Sequence, residues 1–165
     1  MVCVNVLTLF HTHGRAQDLL PTQAWVLNVL KHRAYVDGTR YYASPESFLY
    51  FLSRLLSVTP DEELRRTFLP VLRERLQELV GTPGDSLALA MRISACVSTG
   101  VPNRVDMRKL LRMQQEDGSW GPGIVYKYGA TGVGIGNCGL STVLALKAIS
   151  LMEGTGPLMA LWNKD

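Results

Sequence analysis

The chain has 165 residues, 47% of them hydrophobic, and a formal net charge of +3. That length and apolar share fit one domain with a real core and exclude a disordered chain. The basic residues are scattered singly rather than massed, which argues against a nucleic-acid footprint.

Taken in order, the chain reads as a series of helices. Val2 to Phe10 is apolar from the start, lacks the basic lead of a signal peptide and is too short to span a bilayer. A core helix that begins at once predicts the later part of a longer protein. Helix one is expected over Val2 to His13, stopping at Gly14. Helix two follows Pro21 and Thr22, with Trp25, Val26, Val29 and Leu30 on one face and Lys31, His32 and Arg33 at its C-terminus. Ser44 and Pro45 open helix three, whose apolar side is Phe48, Phe51, Leu52, Leu55 and Leu56. Thr59 and Glu62 stand at capping-box spacing before helix four, and Pro70 within it predicts a kink or break. Helix five runs from Asp85 to about Ser98 and has one charge between Leu87 and Val97, Arg92, so it should be buried nearly all round. Helix six is expected over Asp106 to Gln115 and helix seven over Leu140 to Met152.

Helices three, five and seven are poor in charge, whereas four and six are richer in it. Inner helices shielded by outer ones predict that alternation. Two turns organise the series: Asp37-Gly38 with Thr39 and Tyr41 after it, and Asp117-Gly118 with Ser119 and Trp120 after it. Two hairpins between them give about 40 residues per hairpin, a helical-solenoid period.

Leu111, Gln115, Gly118 and Trp120 resemble the second half of the QW motif of squalene cyclases and their relatives. The run YKYGATGVGIGNCGLSTVLALKAI, from Tyr126, is similar to the loop and inner helix that follow such a turn. The resemblance implies an all-α fold, an incomplete α/α toroid of antiparallel helical hairpins over 1–153 with a C-terminal tail over 154–165. A closed ring takes about six hairpins by family analogy, and this chain supplies about three and a half. By the same resemblance, Gln115 caps an inner helix and stacks near Trp120. The chain departs from the family in its chemistry, because neither a DxDD nor a DDxxD motif is present and no zinc-binding Asp, Cys and His spacing can be placed. An acid that starts a carbocation reaction would then come from elsewhere.

Tyr126, Tyr128 and Asn137 on the glycine-rich loop are the expected pocket walls, since loops at the end of a helical ring carry function. Phe48 is a further substrate-facing ring; Tyr50 and Phe51 are also candidates, with Phe51 assigned to core packing. Aromatic faces there would stabilise developing cations. Gly134, Gly136 and Gly139 spell GxGxxG after a strand-like Ile124–Tyr128, with Asp165 beyond an apolar Leu158–Trp162 as an acidic partner, so a nucleotide-binding segment is an alternative. The other reading is a tightly folding loop over the mouth of the ring. His11 and His13 are read as a helix-end pair rather than metal ligands, and Asp61, Glu62 and Glu63 as capping acids. Of Cys3, Cys96 and Cys138, with no CxxC pair among them, Cys138 is read as a small buried thiol.

The expected function is a terpenoid-cyclase-like domain that binds an isoprenoid or similar apolar molecule, an isomerase or lyase if catalytic, in the cytoplasm. No cofactor or metal is expected. The alternative is a non-catalytic helical interaction module, covered by a partner chain or by a missing half of the toroid.

Overall fold

The computed structural model describes residues 1–129 and 131–154. Seven helices dominate it: α1 (Val2–Thr12), α2 (Leu20–Lys31), α3 (Pro45–Val58), α4 (Glu62–Leu79), α5 (Ser86–Thr99), α6 (Arg104–Arg112) and α7 (Cys138–Gly154). A 3₁₀ turn, Ala16–Leu19, precedes α2, and one antiparallel hairpin, β1 (Ile124–Tyr128) with β2 (Val133–Gly136), precedes α7. The fold is all-α apart from this hairpin.

The contacts sort the helices into two layers. Helix α3 packs between α1 and α5, and α5 packs between α3 and α7, giving an inner row α1–α3–α5–α7. Helices α2 and α4 touch each other and lie against this row from one side, and α6 packs on α5. The charge-poor helices of the sequence are therefore the row, and α1 belongs to it as well. Most of the core lies between the layers, where Leu49, Leu52 and Leu55 of α3 meet Leu64, Phe68, Leu72 and Leu76 of α4. Burial of each such side chain contributes roughly 1.5–3 kcal/mol.

Local signals set the ends. The Asp61 carboxylate accepts from Leu64 N at 3.0 Å and caps α4, while Asp85 accepts from Ala88 N at 2.8 Å and caps α5. Gly100, at φ +74°, closes α5 in the left-handed conformation that favours glycine. Thr59 and Glu62 do not form a capping box. The Thr59 hydroxyl is 2.8 Å from His11 Nδ1 and accepts from Asp61 N, so the cap falls to Asp61. Pro70 does not break α4, which is one helix from Glu62 to Leu79; Pro70 sits on its exposed side while Phe68, Leu72 and Leu76 hold the other. On α2, Val26 and Leu30 are buried as expected, but Trp25 is exposed.

Arg92 is fully buried in α5. One guanidinium nitrogen donates to Glu46 Oε1 at 2.6 Å, and the other donates to Asp106 Oδ2 and to the Thr82 carbonyl, both at 3.1 Å. Glu46 lies in the first turn of α3 and Asp106 in the first turn of α6, so one side chain joins three helices and the α4–α5 turn. Asp106 also accepts from Asn103 Nδ2 at 2.9 Å and Gly81 N at 3.1 Å. Replacing Arg92 by Met leaves two carboxylates buried without their cation. Urea unfolding of Arg92→Met should show a loss of about 3–5 kcal/mol, whereas Arg33→Met, at the exposed Arg33–Glu78 pair, should change stability little.

Candidate functional site

The second Asp-Gly turn closes on itself. Gly118, at φ +82°, donates from its N–H to the Gln115 carbonyl at 2.9 Å, and Gln115 N donates to the Ser119 carbonyl at 2.8 Å. The Ser119 hydroxyl lies within the turn 2.8 Å from Gln115 Oε1 and 2.7 Å from Asp117 Oδ1, its one proton shared between these two acceptors. These bonds from Ser119 hold the Asp117 carboxyl below its usual range. Trp120 is fully buried; its indole N–H donates to the Leu110 carbonyl at 2.8 Å, and its backbone N–H donates to Thr142 Oγ1 at 3.0 Å. The turn thereby ties α6 to α7. The first turn also closes on itself, Thr39 N donating to the Tyr42 carbonyl at 2.7 Å. Gly38, at φ +70°, follows Asp37, and the Thr39 hydroxyl accepts from the N–H groups of Tyr41 and Tyr42.

After Trp120 the chain lies across the N-termini of α5 and α7. The Ser86 hydroxyl donates to the Gly121 carbonyl, Ser141 Oγ accepts from Gly123 N, and Asp85 Oδ2 accepts from Ile124 N, at 2.8, 2.9 and 2.9 Å. The β1–β2 hairpin rises from there. Gly134 and Gly136 belong to β2, where a Cβ would meet Ile124 Cδ1 at 2.8 Å or the Gly123 carbonyl oxygen at 2.6 Å. They serve close strand pairing in an antiparallel ribbon, and the parallel βαβ unit of a dinucleotide site is absent among the described residues. Leu158–Trp162 and Asp165, named for that reading, lie outside the described residues, as does the tail from 155.

The four expected pocket residues do not converge on one cavity. Tyr126 stacks on Tyr41, with ring centroids 5.7 Å apart, and meets Tyr42 edge-on at 6.2 Å. Tyr128, two residues along the same strand, is 63% exposed. Asn137 is exposed, and its Oδ1 accepts from Leu140 N at 2.9 Å in the first turn of α7. Phe48 is buried and stacks on Tyr35 at 5.0 Å, and that burial pushes the Tyr35 phenol well above its ordinary pKa. Cys138 is exposed at the start of α7, contrary to the expected buried thiol; the buried one is Cys96, whose pKa burial raises to about 12.

A different cluster is built only from the inner row and the hairpin. Tyr50 of α3 and Leu87 and Met91 of α5 are buried together, with Phe51, Val125 of β1 and Leu144 of α7 packed against them. Tyr50 and Phe51 meet edge-on at 5.5 Å, and the Ser47 hydroxyl lies 3.7 Å from Met91 Sδ. Lys147 Nζ donates to Tyr50 Oη at 3.3 Å, and Arg54 lies 6.0 Å over the Tyr50 ring and 5.9 Å over that of Phe51. Periodicity alone did not single out Leu87, Met91 or Leu144, because an apolar helix carries such residues on every side. Glu46 and Asp106 were missed as partners of Arg92; the signal was the lone charge of helix five.

No group of three or more His, Cys, Asp or Glu residues that could hold a metal occurs among the described residues. No helix among them is long and apolar enough to cross a membrane. No family model matches the chain, and no solved structure matches it. Over 150 residues, 91% of this chain, the sequence is 49% identical to a drimenol cyclase of Aspergillus calidoustus. The chain spans 28% of that protein's length. At this level the chain is terpenoid-cyclase-like.

Gly123 tests how tightly the segment after Trp120 is seated. A Cβ there would fall 2.2 Å from Leu87 Cβ and 2.9 Å from Asp85 Oδ1, whereas at Gly121 it would meet nothing within 4 Å. Gly123→Ala should lower stability by about 1–3 kcal/mol in thermal unfolding, with Gly121→Ala nearly neutral.

Proposed function

We propose that this chain is one arc of a cyclase's α/α toroid, and that the inner-row cluster around Tyr50 forms part of the wall against which an isoprenoid chain is folded. The observation that carries this reading is the 49% identity to a drimenol cyclase across nearly the whole chain. Its chemistry agrees with the cluster. Leu87, Met91 and Leu144 make the cluster apolar, and Tyr50 and Phe51 add rings of the kind that favour positive charge, as the Arg54 guanidinium over both illustrates. The arc shapes and shields the substrate, and the acid that starts the reaction comes from another part of the protein. In this role the whole protein is an isomerase or lyase acting through carbocations, with Gln115 and Trp120 as structural members of the turn.

The edges of the inner row support the same reading. On α7, Leu140, Val143, Leu146 and Leu151 are exposed, and Val143 is 62% so. On α1, Val2, Val6 and Leu9 are exposed, at positions one and two turns apart. A helix that is apolar all round belongs between neighbours. Further hairpins of a longer protein would cover both edges and continue the ring. The same faces also favour a second reading, a non-catalytic helical module that a partner chain covers.

A segment exchange separates the two. The 150 matching residues replace their counterpart in the drimenol cyclase, and the products formed from isoprenoid substrates are read by mass spectrometry. The arc reading predicts a folded chimera that still releases a cyclised product, with turnover falling at least tenfold when Met91→Lys is added. A folded, monodisperse chimera without product would sink the arc reading and leave the interaction module.

A further inference from the structure

A cavity of about 230 Å³ lies between α1, α2, the first Asp-Gly turn and the start of α3. Its walls include Val4, Trp25, Val29, Tyr35, Tyr42 and Phe48. It shares no residue with the Tyr50 cluster. None of the side chains lining it is charged. Its two aliphatic hydroxyls are already engaged: Thr39 Oγ1 accepts from two backbone N–H groups, and Ser44 Oγ donates to Glu46 Oε2 at 2.5 Å. Beyond the phenols of Tyr35 and Tyr42 and the amino group of Met1, water entering it would find few partners, so apolar contact dominates the lining.

The walls are also held in place. Tyr35 and Phe48 stack nearly parallel, 19° apart. A Cβ on Gly38 would fall 2.5 Å from the Tyr42 carbonyl oxygen, so the turn is pressed against the chain that returns past it. Such a cavity is preformed, and filling it costs little reorganisation.

We propose that this cavity is a binding site for a small, neutral, apolar molecule of about ten carbons, the size of two fused rings or two isoprene units. A dry cavity of about 150 Å³ accommodates benzene, which sets the scale. The absence of charged lining side chains disfavours an ionic head group inside. Trp25, 56% exposed, marks the rim, where the end of a longer chain would pass out to solvent. The site is independent of the proposed arc and holds whether or not the whole protein is a cyclase.

The test uses the full chain, labelled for methyl and aromatic NMR, titrated separately with indole, geraniol and farnesol. The expected result is saturable shifts at Val4, Val29, Tyr35 and Phe48 for indole or geraniol. Val29→Phe, which fills the cavity, should weaken binding at least tenfold, and Ala34→Phe, a substitution at an exposed lining position, should do so without touching the core. Val105→Ala, at an exposed position of α6 remote from the cavity, should leave binding unchanged. Farnesol bound more tightly than geraniol would identify the end of a longer chain as the occupant. Equal affinity would identify a free small molecule. No saturable shifts up to the solubility limits, or shifts that persist unchanged in both filling variants, would overturn the proposal.

Discussion

Arg92 is a cation sealed in an apolar helix, with its two anions supplied by two other helices. Removing a guanidinium and two carboxylates from water is costly, and only close, complete pairing offsets it. Here the pairing is nearly complete: Arg92 reaches Glu46, Asp106 and the Thr82 carbonyl, while Asp106 takes further bonds from Asn103 and Gly81. Apolar side chains of the same volume often hold helices as strongly. They would not say which helix ends must meet. The ion network does, because any register that separates α3, α5 and α6 strands a buried charge.

That registration sets up both faces of the inner row. On one side, Leu49, Leu52 and Leu55 meet the outer helix α4 and form the main core. The side chains of Tyr50, Leu87 and Met91 gather with Leu144 and Val125 in a second cluster, free of any outer-helix residue. The chain after Trp120 is stitched across the helix N-termini by Asp85, Ser86, Ser141 and Thr142. The hairpin is thereby held where it can contribute Val125 to that cluster. Structure alone makes this a buried apolar and aromatic cluster; the assignment of an isoprenoid to it rests on the likeness to a cyclase.

Much of the architecture was legible because it follows from local rules. From α3 to α7, charge-poor and charge-rich helices alternate in the sequence and alternate as inner and outer helices in space; α2, outer with Lys31 as its one charge, departs from the pattern. Both Asp-Gly turns are turns, with their glycines at positive φ. What local rules missed were pairings made across the fold. Thr59 and Glu62 have capping-box spacing, yet the Thr59 hydroxyl is drawn to His11, 48 residues away. Glu46 stands in the first turn of α3, and only the packed structure brings it to Arg92. The glycines of 134 and 136 alternate as a strand does, and their neighbour Ile124 explains them better than a phosphate would. The pocket residues were the least legible. Phe48, Tyr50 and Phe51 lie within one helical turn, but α3 is packed on several sides, so Phe48 and Tyr50 enter different clusters.

The proposed arc places its apolar ligand on the inner-row face. Photo-crosslinking tests it most directly, using an isoprenoid chain that carries a diazirine and the chimera in which this chain replaces its counterpart in the drimenol cyclase, with adducts mapped by mass spectrometry. Labelling concentrated on Tyr50, Phe51, Met91 and Leu144, and competed away by unlabelled isoprenoid, is the predicted result. Labelling spread over the exposed residues of α1 and α7, with none on those four, would contradict it.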